Sequence, residues 1–288
     1  LKITGGISFL AAEGGEEDIK LRGFSLQGTG DVFVDGLRDP AFYERDSFNW
    51  DRLEVLRGSA SMLFGRGSTG GAVNQVTKSP KLVTEHDVTT TLGSHGYKRA
   101  TGDFNIQTGE SAALRLNAMY NEADNNGAGR SIDKKGIAGA YRFGIGEKNE
   151  FLLGLYHLDN NNGMNYGMPW IRPNASSPVS DTTLLPLDPK AYYGMASDYN
   201  AGQATYATLG HIHRFDADNE IKTMVRKGDY KRDQRAGTVR VAGAAQQPDG
   251  KAVYLDNFGP MTRLTRGTQL KIQDMQNLYA QSDYSGKF

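Results

Sequence analysis

Apolar and polar residues alternate in long runs over the second part of the chain. In 112–120, "AALRLNAMY", the even positions are apolar, whereas the odd positions include Arg115 and Asn117. A period of two is typical of β-strands that have one apolar and one polar face. The pattern predicts eight strands, near 84–93, 97–108, 111–122, 136–146, 149–160, 202–215, 218–230 and 276–288.

The predicted connections also alternate, between short and long. Short turns are expected over 108–110, 146–149 and 216–219, and long segments over 123–135, 161–201 and 231–275, with 94–96 as a short exception. Tight turns at one end and long loops at the other are typical of outer-membrane β-barrels. A soluble β-sandwich also alternates, but it does not require Arg, Asp and Gln so regularly on its second face. The sequence has no run of about 18 apolar residues, which excludes a membrane-spanning helix.

The first 80 residues have a different organisation. Short strand-like pieces over 19–24, 32–34, 53–56 and 72–77 alternate with glycine-rich turns, and a helix is predicted over 59–64. We therefore expect two domains, a mixed α/β unit over 1–80 and barrel strands over 81–288. An eight-stranded barrel has room only for its own side chains. A folded unit inside the barrel requires many more strands, so we expect the sequence to be part of a longer chain.

Composition narrows the possible partners. Lys plus Arg and Asp plus Glu are equal at 33 each, which argues against a general nucleic-acid binder. The absence of cysteine excludes disulfides and thiolate chemistry. No signal peptide opens the sequence, so we expect either that the protein is not exported or that its beginning is missing.

A glycine motif lies at residues 65–71, "GRGSTGG". Gly65, Gly67 and Gly70 have the spacing of a dinucleotide-binding fingerprint, which requires a following helix to hold the pyrophosphate. The following residues, 72–77, instead have the β-branched alternation of a strand. We therefore interpret these glycines, together with Gly71, as tight-turn residues with positive φ that lead into a buried strand.

Longer motifs resemble a known family. "IKLRGF" (19–24), "VDGLRD" (34–39) and "RDSFNWDRLEVLRGSASMLFGRGSTGGAVNQVTKSP" (45–80) resemble the plug domain of TonB-dependent siderophore receptors, and "SMLFGRGSTGGAVNQV" is most similar to the ferric-catecholate type. "DYNAGQATYATLGHIHRF" and "YKRDQRAG" are similar to barrel segments of the same group. The resemblance implies an antiparallel outer-membrane β-barrel of about 22 strands with an N-terminal mixed α/β plug. The signal peptide, the TonB box, the first part of the plug and most of the barrel are then expected outside this sequence.

The resemblance implies binding and import of a ferric siderophore, of the catecholate type, across the outer membrane of a Gram-negative cell. The implied partners are the siderophore, the TonB complex, and outer-membrane lipid and lipopolysaccharide. Iron is cargo, so no cofactor is expected. The residues show no Ser/His/Asp order or carboxylate pair, and we expect no enzyme activity. The alternatives are a receptor for haem, cobalamin or a sugar, and a truncated β protein that does not transport.

Ligand contacts are predicted from the chemistry of the cargo. A ferric tris-catecholate is an anion with flat rings, which Arg or Lys and aromatic side chains can bind. Segment 37–46, "LRDPAFYERD", has such residues, but its arginines could equally pair with its own carboxylates. Segment 161–201 has further aromatic residues, which could instead pack the loop. The predicted ligand-binding residues are Arg38, Phe42, Tyr43, Arg45, Tyr166 and Trp170.

Three plug residues have another implied role. In the family, arginines that match Arg22 and Arg57 pair with barrel glutamates and lock the plug, and we place Glu54 in the same network. Their partners are expected beyond residue 288.

Two further groups of residues have several interpretations. Segment 231–275 has eight Lys or Arg against four Asp, a net charge of +4, and it could steer an anion, bind lipopolysaccharide phosphates or be solvated. His211 and His213 share one strand face, but no third ligand is near in sequence, so we predict structural or lumen-facing histidines and no metal site.

Overall fold

The computed structural model describes residues 7–12, 16–26, 30–40, 43–58, 70–124, 129, 131–188 and 190–287, and consists mainly of β-strands. The strands described before residue 80 are β1 (Ile7–Ala12), β2 (Glu16–Leu21), β3 (Phe24–Ser25), β4 (Val32–Val34), β5 (Leu37–Arg38), β6 (Trp50–Arg57) and β7 (Gly71–Thr77). The later strands are β8 (Glu85–Leu92), β9 (Lys98–Gly109), β10 (Ala112–Asp124), β11 (Ser131–Phe143), β12 (Asn149–Asn162), β13 (Trp170–Ile171), β14 (Thr183–Leu184), β15 (Tyr199–Arg214), β16 (Glu220–Val241) and β17 (Leu264–Ser285). Two 3-10 helices, Ala244–Gln246 and Leu255–Asn257, lie between β16 and β17.

The strands before residue 80 form two small sheets. Strands β5, β4, β7 and β6 form one sheet in that order, in which β4 and β7 are parallel and the other pairs are antiparallel. Strands β1, β2 and β3 form the other. Leu21, Leu26, Val32 and Val73 pack together as the apolar core of this unit, which we call the plug. The helix predicted over 59–64 lies outside the described residues.

The single strand predicted over 19–24 is wrong, because the chain reverses within it. Strand β2 ends at Leu21, and β3 begins at Phe24 and pairs antiparallel with β2. The two residues between them, Arg22 and Gly23, have φ values of 52° and 86°. Positive φ at both positions is the geometry of a type I′ hairpin turn, and Gly23 adopts it without steric cost.

The later strands form one antiparallel sheet, in the order β17-β16-β15-β12-β11-β10-β9-β8. We call these eight strands the wall. Their number and order confirm the eight predicted strands, and β13 and β14 pair separately within the connection from β12 to β15. The predicted change of organisation near residue 80 falls between β7 and β8, although the division into domains at that residue stays a prediction.

Several wall strands are longer than predicted. Strand β16 continues to Val241 and pairs with β17 as far as the Val241–Leu264 rung, so the predicted loop 231–275 is only 242–263. Likewise, the predicted loop 161–201 is shortened to 163–198. The outward positions are apolar only where the wall faces an apolar layer, whereas backbone pairing continues beyond it. Alternation in the sequence therefore ends before the strand does.

The two faces of the wall have opposite character. Along β10 the buried positions include Arg115, Asn117 and Asn121, at 4–8% exposure, whereas Leu116 and Tyr120 are about 40% exposed. Along β12 the outward side chain of Leu155 is 61% exposed. Apolar residues outside and polar residues inside are the reverse of a soluble sheet and are typical of a transmembrane β-barrel wall. Among the residues with a described structure, we find no helix with the length and apolar character that crossing a bilayer requires.

Candidate ligand site and its junction with the wall

The plug loop runs from residue 39 to residue 49 between β5 and β6, and its described residues, 39–40 and 43–49, surround one buried carboxylate. Asp39 is 3% exposed, and its backbone N–H donates to the carbonyl of Val32. The Tyr43 hydroxyl donates to the carboxylate at 2.9 Å, and Arg45 Nη2 forms an ion pair with it at 2.6 Å. Charge-assisted hydrogen bonds of this kind compensate the cost of burying a charge.

Arg45 uses its remaining donors inside the same loop. Its Nη1 donates to the carbonyl of Tyr43, its Nη2 donates to the carbonyl of Pro40, and its guanidinium lies 4.1 Å from the centre of the Tyr43 ring. Burial and the carboxylate of Asp39 together determine the pKa of the Tyr43 phenol. Burial raises the pKa of the Tyr43 phenol well above its usual 10.0, and the charge of Asp39 raises it further. The phenol is therefore neutral and donates at physiological pH.

The other predicted ligand residues are spread over a wider area. Arg38 ends β5 with its guanidinium 5.8 Å from the centre of the Phe33 ring, and Phe42 lies outside the described residues. Tyr166 is half-buried in the connection after β12, and Trp170, on β13, is 65% exposed. The alternative of an ion pair within the loop holds for Arg45 with Asp39. The ligand role of all six residues stays a prediction.

The remaining carboxylates of the plug loop contact the wall. Glu44 forms an ion pair with Lys134 Nζ at 2.6 Å, and Asp46 forms one with Arg99 Nη2 at 2.6 Å. Arg99 also donates from Nη1 to the second oxygen of Asp46, which gives a two-pronged contact. Glu44 and Asp46, the acidic residues on either side of Arg45, thus fix the loop to β11 and β9.

Aromatic side chains fill the space between the plug loop and the wall. Phe48 of the plug stacks on Tyr156, which stacks on Tyr206 at 4.6 Å between ring centres. Tyr230 lies 4.9 Å from Tyr43 by the same measure. These offset and tilted rings are the geometry that aromatic pairs prefer, and they join the loop to three wall strands through apolar contact.

A buried arginine of the wall contacts the plug beside this aromatic cluster. Arg226 is 2% exposed, and its Nη2 pairs with Asp35 Oδ2 at 3.0 Å. Its Nη1 donates to the carbonyl of Val34, and its Nε donates to Thr208 Oγ1. Asp35 also accepts the backbone N–H of Thr77 at 2.8 Å. The carboxylate therefore joins β4, β7 and the wall at one point.

In a further contact, the plug contributes the basic residue and the wall contributes the carboxylate. Lys78, just after β7, pairs with Asp103 of β9 at 2.9 Å, and Arg115 of β10 pairs with the same carboxylate at 2.7 Å. Lys78 Nζ also donates to the carbonyl of Phe48 in the plug loop. This group fixes the end of the plug to the first strands of the wall.

The predicted lock residues lie elsewhere. Arg22 and Arg57 are exposed, and Glu54 accepts a hydrogen bond from Asn74 at 2.8 Å and pairs with Arg52 at 2.8 Å. The hydrogen bond from Asn74, with that from Arg52, lowers the pKa of Glu54. The structure thus places Glu54 with Arg52 and Asn74. The lock role of these three residues stays a prediction.

Sequence reasoning missed the plug carboxylates as wall contacts. Asp35, Glu44 and Asp46 pair with Arg226, Lys134 and Arg99, whereas the resemblance directs attention to plug arginines. One signal was available. An arginine on the polar face of a barrel strand points inward, and a buried arginine requires an acidic partner.

The glycine motif is described only at its end. Gly70 and Gly71 precede and begin β7, which confirms a strand where a nucleotide site would need a helix, and Gly65 and Gly67 lie outside the described residues. Gly71 has the predicted positive φ, at 131°, whereas the same prediction for Gly70 is wrong. A Cβ on Gly71 would lie 2.1 Å from the carbonyl oxygen of Leu56. Only glycine permits this approach of β7 to β6.

The bounds of the predicted basic loop 231–275 are wrong. Most of its basic residues lie on β16 and β17, and the connection 242–263 has Lys251 and Arg263 against Asp249 and Asp256, a net charge of zero. His211 and His213 both contact Asn149 Oδ1, at 3.1 and 2.8 Å. The described residues include no group of three or more His, Cys, Asp or Glu placed to hold a metal ion.

The connection from β12 to β15 spans residues 163–198, and its described residues, 163–188 and 190–198, form contacts of their own. Asp198 Oδ2 accepts hydrogen bonds from the Tyr192 hydroxyl, from Met195 N and from Gly237 N of β16 at 2.7 Å. Arg266 Nε of β17 donates to the carbonyl of Tyr193. These contacts attach the later part of the connection to the wall.

Comparison with known proteins agrees with this architecture. Residues 1–72 match the family model of the TonB-dependent Receptor Plug Domain. The catecholate siderophore receptor Fiu of Escherichia coli K12 is 29% identical over 236 residues, which cover 78% of this chain and 31% of that protein. The closed-form crystal structure of the ferric-catecholate import receptor Fiu matches with a TM-score of 0.82 and 25% identity, over 98% of this chain and 40% of that one.

The siderophore receptor PiuA of Acinetobacter baumannii shows the same fold, with a TM-score of 0.81 at 23% identity over 98% of this chain and 39% of that one. The folded plug, a wall that is apolar outside and polar inside, and the family match of residues 1–72 together define the class of protein: the chain is part of a TonB-dependent receptor. Within that class, the predicted resemblance to the siderophore receptors is confirmed. The relatives are receptors rather than enzymes, as expected. The chain spans less than half of the length of each of these proteins.

Proposed function

We propose that the protein is an outer-membrane receptor that binds a ferric siderophore, of the catecholate type, and imports it with energy supplied through TonB. The observation that carries the proposal is a wall, apolar outside and polar inside, whose polar face packs against a folded plug, since a polar interior occupied by a separate domain suits a gated pore. The relative Fiu is named a catecholate siderophore receptor, which supports the choice of cargo.

The plug loop supplies the chemistry for such a ligand. It joins the wall at the ends of β11, β12 and β15. Beside this junction, the Arg45 guanidinium packs on the Tyr43 ring, which contacts the ring of Tyr230. Because Arg45 is committed to Asp39 and to loop carbonyls, we assign it the role of holding the loop. We assign Arg38 the first contact with the anionic ligand, with Tyr43, Phe42, Tyr166 and Trp170 as aromatic neighbours.

The outer surface suits the remaining partners. Toward the long connections, β16 and β17 expose basic side chains on their outward face, including Lys231 and Arg266. Cations at this level match the phosphates of lipopolysaccharide. We propose lipid and lipopolysaccharide as the surroundings of the wall and no nucleic-acid partner.

Calorimetric titration of the intact protein with a ferric tris-catecholate tests the proposal. Arg38→Ala should weaken binding about tenfold or more, because it removes a charged donor to an anion. Arg52→Ala is the matched control, since it removes an exposed plug arginine that pairs with Asp51 and Glu54. Unchanged affinity in Arg38→Ala would remove this residue from the site. Binding of haem, cobalamin or a sugar in place of the tris-catecholate would contradict the proposed cargo.

A further inference from the structure

One plug side chain bridges both ends of the long connection 163–198. Asn162 ends β12 and Asn200 lies at the start of β15, and these two residues form the last paired rung before the connection begins. Glu44 Oε2 accepts a hydrogen bond from Asn162 Nδ2 at 2.9 Å, and Oε1 accepts one from Asn200 Nδ2 at 2.7 Å. Each oxygen of one carboxylate therefore holds one stem of the connection.

A third strand contributes to the same carboxylate. Lys134 of β11 pairs with Glu44 Oε2 at 2.6 Å, and both side chains are largely buried, at 16% and 20% exposure. Asn162 is further fixed by its Oδ1, which accepts the backbone N–H of Asp133 at 3.0 Å. The stems of 163–198 and the end of β11 therefore form one hydrogen-bonded group with the plug.

Glu44 also lies between the two residues that hold the plug loop together. Tyr43 and Arg45 both bind Asp39, and the Arg45 guanidinium stacks on the Tyr43 ring. A ligand that contacts Tyr43 and shifts it also moves the backbone of Glu44, the next residue of the loop. Because the Glu44 carboxylate is shared by both stems, movement of the loop changes the contacts of both stems together.

We propose that Glu44 is a positioning residue that ties the connection 163–198 to the plug, so that the connection responds to ligand binding at the plug loop. This rests on the proposed function. The carboxylate is suited to the role because asparagine amides and a lysine are all donors, and only an acceptor with two oxygens satisfies the three of them at once. Coupling between two sites requires an element that contacts both, and Glu44 is such an element.

Hydrogen exchange of the intact protein, purified from outer membranes, tests the tie with and without a ferric tris-catecholate. In the ligand-free state, Glu44→Ala should speed exchange about tenfold at 131–134 and 199–202, because a charged acceptor is lost from buried donors. Exchange in β6 and β7 should be unchanged, which shows that the plug is still folded. Glu44→Gln should have an intermediate effect, since it keeps an acceptor but loses the ion pair with Lys134. Glu110→Gln, an exposed glutamate in the turn between β9 and β10, is the matched control.

Adding the ligand then separates coupling from a merely structural role. In the wild type, the ferric tris-catecholate should slow exchange within 163–198, and in Glu44→Ala this protection should be absent although ligand still binds, with affinity reduced about tenfold. Equal protection in both proteins would overturn the inference while the proposed function stands. If the wild type does not bind the ligand, the proposed function fails. The tie is then judged on the ligand-free comparison alone, and unchanged exchange at the stems of Glu44→Ala would overturn it.

Discussion

The ion pair between Asp35 and Arg226 gives the sharpest test of how the wall holds the plug. Replacing Asp35 with Asn keeps the shape of the side chain but leaves the Arg226 guanidinium buried, at 2% exposure, without its counter-charge. Removing one partner of a buried pair costs about 3–5 kcal/mol. We expect the lower end, about 3 kcal/mol, because Asp35 is 16% exposed and the Val34 carbonyl and Thr208 hydroxyl still accept from Arg226.

Hydrogen exchange in β7 measures this loss, since Thr77 N donates to Asp35 and β7 pairs with β4. A loss of about 3 kcal/mol corresponds to an opening equilibrium raised about a hundredfold. Asp51→Asn is the matched control, because it makes the same chemical change in an exposed pair with Arg52, where solvent screening leaves little effect to lose.

A double-mutant cycle with Arg226→Met isolates the pair itself. The two single changes should not add, with a coupling of about 2 kcal/mol, because the second change removes the charge that the first has isolated. Additive effects, or exchange in Asp35→Asn equal to that in Asp51→Asn, would refute the reasoning. The plug would then be held by apolar contact rather than by this ion pair.

Three further outcomes are expected. Gly71→Ala should destabilise the fold by more than about 3 kcal/mol and disrupt the β6–β7 pairing in hydrogen-exchange experiments, because its Cβ would meet the Leu56 carbonyl. Gly259→Ala, whose Cβ meets nothing within 4 Å, should be neutral, and equal behaviour of the two variants would contradict this argument. Because its pKa is raised in the folded protein, the Tyr43 phenol contributes its full stability below about pH 10, and this stability is lost as the pH rises further. Tyr43→Phe should therefore flatten the increase in proteolysis of the plug loop at alkaline pH, and an unchanged slope would exclude this cause. Leu155→Arg should destabilise folding into lipid vesicles by about 2–4 kcal/mol, measured by denaturant titration, and no effect would show that this face does not meet lipid.

The wall strands could be predicted because their chemistry is local. An outward apolar face and an inward polar face repeat at every second residue, and the turn residues separate one strand from the next. The extensions of β16 and β17 could not be predicted from that pattern, since the charged residues Lys231 and Asp233 stand at outward positions of β16 and interrupt its apolar face. Backbone pairing across the two strands maintains the structure there, and it leaves no hydropathy signal.

The plug–wall contacts depend on distant parts of the chain. Glu44 and Asn200 are 156 residues apart, and Asp35 and Arg226 are 191 apart, so no spacing in the sequence links them. Composition identifies arginines and aromatic residues in the plug loop as candidates for a ligand. Which of them are already used is decided by the fold, as the commitment of Arg45 to Asp39 shows.

Uptake of radiolabelled iron as a ferric tris-catecholate tests the central claim most directly. Cells with the intact protein should take up the complex in a saturable manner, and uptake should stop when the inner-membrane energy supply is collapsed, while binding at the cell surface remains. Cells without the protein should show neither. Binding without energy-dependent uptake would contradict a transport role, and uptake that is unchanged by loss of the protein would contradict the proposed function as a whole.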